Sequence, residues 1–130
     1  MKKNEVLLAI ESFKKAFLSL KKGAKTAKND LERDGVVQRF EFSFELFWKT
    51  LKIILEFHGK NADSPRMAIK EAVRSNFLVD DEVYLDMLED RNRTSHIYDE
   101  SVSKEIFDRI KKFYIPAFEA FLKNISKISN

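Results

Sequence analysis

Residues 30–59 read DLERDGVVQRFEFSFELFWKTLKIILEFHG. Val37, Phe40, Phe44, Phe47, Trp48, Leu51, Ile54 and Leu55 recur at steps of three and four. That is the period of a helix burying one side. Phe42, Leu46, Ile53 and Phe57 fall on its flanks, so the apolar surface is too broad for one stripe. Such a helix is either central to the fold or partly covered by another chain. The pattern predicts a helix from Leu31 or Val36 to Phe57, with Gly35 leaving the start open. His58-Gly59 forms the expected C-terminal cap, because glycine tolerates the left-handed conformation there.

Outward from this segment the chain reads as helix. Val6, Ile10, Phe13, Phe17 and Leu20 step by four and three, which predicts a helix over about 3–22 with a bundle seam. Ser64-Pro65 predicts a short helix ending near Asn76, with serine capping the free amides and proline in the first turn. Asp80-Asp81 favours a helix start, and that helix is expected to reach about Tyr98. The last helix is expected from Ser101 or Ser103 to about Ile128. Its predicted core positions are Ile106, Ile110, Phe113, Ala117, Phe121, Ile125 and Ile128, with a bend at Pro116. The fold class expected is all-α: an antiparallel up-and-down four-helix bundle with one additional short helix. A single domain over residues 1–130 is expected.

Composition removes several chemistries. There is no cysteine, hence no thiolate nucleophile, disulfide or cysteine-type zinc site. Three glycines, at 23, 35 and 59, are too far apart for a phosphate loop or dinucleotide fingerprint. Histidine chemistry must use His58 or His96, and His58 beside the cap glycine suits the dipole at a helix end. The net charge is +3, too small to imply nucleic-acid binding alone. Its distribution is uneven: residues 1–35 carry nine basic and five acidic side chains, and residues 60–100 carry six and ten. Lys14, Lys15, Lys21, Lys22, Lys25 and Lys28 read as a solvated face, or as a contact to an RNA backbone. Asp80, Asp81, Glu82, Asp86, Glu89 and Asp90 read as a solvated face and helix start. No metal site or cofactor is expected. Charged residues interrupt the apolar start of the chain and no run approaches the ~20 residues that span a bilayer; no membrane contact and a cytoplasmic location are expected.

The chemistry-bearing stretch is RNRTSHIY, residues 91–98. Tyr84, Leu88, Arg91, Ser95 and Tyr98 step by four and three, so a core-directed stripe continues as arginine, serine and tyrosine. An arginine there needs a partner or a ligand, because burying an unpaired charge is expensive. Asn92 and His96 are four apart and share a neighbouring face. Imidazole exchanges protons near neutral pH. Guanidinium grips phosphate oxygens and stabilises charge on a transferring phosphoryl group. Asparagine can orient either. Together they are a minimal kit for metal-independent RNA cleavage; a polar network capping the helix accounts for the same residues. The second proton donor that cleavage needs would come from a symmetric homodimer meeting at this face.

Arg91 to Tyr98 resembles the R-x4-6-H signature of the HEPN superfamily. More narrowly, residues 30–59, the segment SPRMAIKEA and the motif RNRTSHIY follow the order of the nucleotidyltransferase substrate-binding protein family, which the chain resembles over nearly its whole length. The resemblance implies a dimeric helical bundle with the two motifs lining a shared cleft. It implies a ribonuclease toxin with Arg91, Asn92 and His96 as catalytic residues and RNA as substrate. It also implies a partner, a minimal nucleotidyltransferase antitoxin encoded by a neighbouring gene, which neutralises the toxin by adenylylating Tyr98. The older family name implies an alternative, a non-catalytic subunit that presents a substrate to the nucleotidyltransferase.

Overall fold

A computed structural model describes residues 3–96 and 99–128. Among these, every regular element is helical: α1 (Lys3–Thr26), α2 (Asp30–Phe57), α3 (Pro65–Arg74), α4 (Glu82–Arg93), a 3-10 turn (Thr94–His96), α5 (Glu100–Arg109), a π turn (Ile110–Tyr114) and α6 (Ile115–Ile128). Side-chain pairings fix the directions. Thr50 and Arg39 donate to the carbonyls of Ala9 and Ser19, so α2 runs antiparallel to α1. Glu45 meets Arg91 and Glu41 meets Thr94, so α4 runs antiparallel to α2. Asp90 meets Arg109, and Tyr84 meets Ala117, so the α5–α6 rod reverses again. This is the expected up-and-down bundle, with α3 as the added short helix.

Local chemistry sets the boundaries. Asn29 caps α2 by accepting from the Glu32 amide at 2.8 Å, and the Glu32 carboxylate accepts from the Lys28 amide at 2.8 Å. This reciprocal cap starts the helix at Asp30 and leaves Gly35 inside it. Ser64 accepts from the Met67 amide at 3.2 Å, with Pro65 in the first turn of α3. Gly59 closes the end of α2 with φ 77°, the left-handed conformation its position requires.

Aromatic rings fill the middle. Phe13, Phe40, Phe44, Phe47, Phe118 and Phe121 are all essentially inaccessible. Phe47 of α2 meets Phe13 of α1, Tyr84 of α4 and Phe118 and Phe121 of α6. The broad apolar surface of α2 is therefore mostly satisfied inside the chain, the central of the two readings. The exceptions are Leu31 near its start, Phe42, which is 62% exposed, and Phe57 at its end.

The last helix keeps Ile106, Ile110, Phe121 and Ile125 in the core as expected, the Ile128 side chain lies outside the described residues, and two positions between them depart. Phe113 is 53% exposed and Ala117 only partly buried, while Tyr114 and Phe118 fill the core. A π turn lies here, in which the Ile115 amide bonds to the Ile110 carbonyl five residues back. The wider turn holds one extra residue, and the inward positions around it are 110, 114 and 118, each four residues on from the last. Pro116 lies just beyond it and has no amide to donate to a carbonyl four residues back. The other departure is at α4, which ends at Arg93 rather than near Tyr98.

Tyr84 carries a pH signature. Its hydroxyl donates to the Ala117 carbonyl at 2.9 Å. Burial, aided by the negative charge of Asp80, pushes its pKa up to about 12. The folded state thus favours the neutral phenol. That contribution is complete below the unfolded value near 10 and is lost as pH rises from there to about 12. Urea midpoints between pH 9 and 12 should fall less steeply for Tyr84→Phe than for the wild type; parallel curves would contradict this.

Candidate functional site

The last turn of α4 and the 3-10 turn after it carry the motif. Thr94 ends the helix: its single hydroxyl proton is shared between the Arg91 carbonyl, at 2.7 Å, and the carboxylate of Glu41. A threonine bonding the backbone in this way competes with helix continuation. Asp99 then caps α5, accepting from the Ser101 amide at 3.0 Å and hydroxyl at 2.7 Å. Those bonds hold its carboxyl below the usual range. The single helical face predicted for Arg91, Ser95 and Tyr98 therefore stops after Arg91, and Ser95 is exposed in the turn. Tyr98 and the side chain of His96 lie outside the described residues; the His96 backbone closes the 3-10 turn.

Arg91 has the partner its position demands. Its Nη1 donates to Glu45 Oε2 at 3.0 Å, and the guanidinium lies 5.7 Å from the centre of the Phe44 ring. Its Nε donates to Asn92 Oδ1 at 3.2 Å, so the structure joins the two predicted residues directly. The guanidinium remains partly open to solvent, with 27% of the Arg91 side chain exposed. Glu45 also pairs with Lys49 at 3.4 Å.

Asp90 was not legible as a site residue. The acidic-face reading places it in solvent, yet its side chain is 4% exposed. Arg109 grips it with both arms, Nε to Oδ2 at 2.7 Å and Nη2 to Oδ1 at 2.8 Å. The Tyr114 hydroxyl donates to Oδ2, and Arg93 Nη1 approaches Oδ1 at 3.4 Å. Burial and then the Asp90 bond push the Tyr114 phenol far up, and the Asp90 bond raises Arg109 further. A signal did exist: Val83, Met87, Asp90 and Thr94 step by four, three and four, an inward stripe ending in polar residues. A groove of about 530 Å³ opens on this side, lined by Asn92, Arg93, Arg109 and Tyr114 among others.

The remaining candidates are peripheral. His58 caps α2 and lies against Phe57 and Phe77. Among the described residues, no group of three or more histidines and carboxylates is placed to hold a metal ion. No helix is long and apolar enough to cross a membrane, again among those residues. Lys14, Lys15, Lys22 and Lys25 are exposed, and Lys21 pairs with Glu119 at 2.7 Å.

Comparison with known proteins gives a consistent set. Residues 8–127 match the family model described as nucleotidyltransferase substrate binding protein like. A Haemophilus influenzae protein named as a probable ribonuclease HepT is 30% identical over 86 residues, covering 62% of this chain. The match spans 59% of that relative's length. A crystal structure from Thermus thermophilus superposes with a TM-score of 0.77 at 32% identity, covering 91% of this chain and 98% of the other. A second structure, from Haemophilus influenzae and described as revealing the fold of a substrate binding domain of a nucleotidyltransferase, superposes at 0.67. It is 19% identical and covers 96% of this chain and 99% of the other, a likeness of fold.

Proposed function

Because the chain belongs to the nucleotidyltransferase substrate binding protein like family, we propose that it is a metal-independent ribonuclease, the toxin partner of a minimal nucleotidyltransferase encoded beside it. The observation that carries this reading is the partly open Arg91 guanidinium, bonded to Asn92 on the turn that leads to His96. The name of the Haemophilus relative supports it.

The chemistry follows from these side chains. The His96 imidazole takes the proton of a ribose 2′-hydroxyl. That oxygen attacks the adjacent phosphorus, and the bond to the 5′ oxygen breaks. Arg91 stabilises the charge on the equatorial oxygens, and Asn92 orients the guanidinium. The leaving oxygen takes a proton from a second acid, which a homodimer supplies as the other copy's histidine. A 2′,3′-cyclic phosphate and a 5′-hydroxyl remain. The phosphate must displace Glu45 from Arg91, an exchange of one anion for another.

Neutralisation uses the tyrosine two residues on. The Tyr98 oxygen attacks the α-phosphorus of ATP on the nucleotidyltransferase, and pyrophosphate leaves. The adenylate placed beside the motif is bulky and anionic, and competes with RNA for Arg91.

Cleavage of a labelled RNA in excess EDTA tests the assignment. His96→Ala should lower the rate at least about a hundredfold. Equal cleavage by wild type and His96→Ala would remove the ribonuclease reading. Intact mass after incubation with ATP and the transferase should show a gain of one adenylate, absent in Tyr98→Phe. A gain that persists there places the modification elsewhere.

The second reading is a non-catalytic subunit that presents a substrate to the nucleotidyltransferase. The Arg91–Glu45 pair favours it, since a guanidinium already held by a carboxylate suits reversible anion capture. It predicts nucleotide or RNA binding that depends on Arg91 and survives His96→Ala, with no cleavage.

A further inference from the structure

We propose that Asp90, Arg109 and Tyr114 form a positioning network that aims the Arg91–His96 segment at its substrate. This inference rests on the ribonuclease reading for its effect on rate, but not for its effect on structure.

Asp90 and Arg91 are consecutive on α4, and consecutive helical side chains diverge by about 100°. Arg91 and the nearby Thr94 reach α2, through Glu45 and Glu41. Asp90 reaches the opposite neighbour, through Arg109 of α5 and Tyr114 of the π turn. The end of α4 is thus clamped from two sides just where the motif begins. Both oxygens of Asp90 are occupied, and the forked arginine contact fixes rotation as well as distance.

The π turn is part of the device. It supplies Tyr114, whose hydroxyl is one of the donors to Asp90. Such turns occur frequently at functional sites. The ring of Tyr114 stacks on Phe40 of α2 at 5.2 Å, so the hydroxyl is aimed by core packing.

Stability alone is a poor account of the cluster. A carboxylate this deeply buried carries a large desolvation cost, and apolar residues of similar volume often do as well or better. An unpaired Asp90 carboxylate would also repel a phosphate approaching Arg91. The Arg109 guanidinium cancels that charge while keeping the geometry. Tyr114 and Arg109 further line the groove beside Asn92, so the network borders open space next to the motif.

The test uses Tyr114→Phe, which keeps the stacked ring, and Arg109→Lys, which keeps the charge without the fork. In each, turnover on labelled RNA should fall about tenfold with KM within about twofold, the pattern of misplacement rather than lost binding. Hydrogen exchange of peptides covering 91–96 should quicken while α1 and α2 peptides exchange as in the wild type. Unchanged exchange at 91–96 in both variants would overturn the proposal, as would exchange that quickens equally across the bundle. If the wild type cleaves no RNA, the ribonuclease reading falls and the exchange pattern alone decides the network.

Discussion

Replacing Arg91 with alanine should lower RNA cleavage about a thousandfold while leaving the bundle folded. Removing a single preorganised donor from a developing anion typically costs roughly 100- to 1000-fold, and arginines acting on transferring phosphoryl groups are worth more. In the proposed mechanism Arg91 brings a permanent positive charge to that anion, and Asn92 accepts from its Nε. The other arginine of the motif, Arg93, is turned toward Asp90 and Glu105. The contribution of Arg91 to stability is small. The Arg91–Glu45 pair is partly solvated, with side chains 27% and 37% exposed, and such pairs contribute about 1 kcal/mol or less. Glu45 also keeps Lys49 within 3.4 Å. Arg91→Lys should fall between, since ammonium supplies charge without the fork. Parallel cleavage and urea-denaturation assays check both halves. An Arg91→Ala protein cleaving within a few-fold of the wild type would remove arginine from the mechanism.

Phe47→Ala should have the opposite profile, destabilising the protein by roughly 3–5 kcal/mol. The ring is inaccessible and touches rings from three other helices: Phe13 at 5.7 Å, Tyr84 at 5.2 Å, Phe118 at 5.2 Å and Phe121 at 5.1 Å. Truncation leaves a hole that all four helices must border, and close-packed interiors relax only partly. Against a total stability of about 5–15 kcal/mol for ordinary proteins, that is a large share. Phe42→Ala, on the same helix but exposed, should change stability by about 0.5 kcal/mol or less. Urea midpoints compare the two directly. Similar losses at Phe42 and Phe47 would contradict the central placement of α2.

The bundle was legible because its signal is redundant. Many apolar residues at steps of three and four agree on each helix face, and Ser64 and Gly59 mark ends by simple capping chemistry; the Asn29 cap that starts α2 was missed. The failures came where one residue decides. Periodicity carries α4 to Tyr98, but the Thr94 hydroxyl takes the Arg91 carbonyl and ends the helix early. A step of three from Ile110 puts Phe113 inside, whereas the packed helix takes the step of four, to Tyr114 in the wide turn. Of the candidate site, type and spacing single out Arg91 and Asn92, which the fold brings into contact. Asp90 was not legible, because its partner is nineteen residues away, and only the packed fold brings a buried carboxylate and a guanidinium together.

The π turn has a further consequence, for how this chain is lined up with its relatives. A relative with an unbroken α-helix at this point needs one residue fewer to join Ile110 to Phe118. Residue-for-residue matching across the turn would put every later residue of α6 one step out of phase. A one-residue gap within 110–114 restores the match. The helix thus behaves as two independently registered rulers, one reading the motif and the other the core.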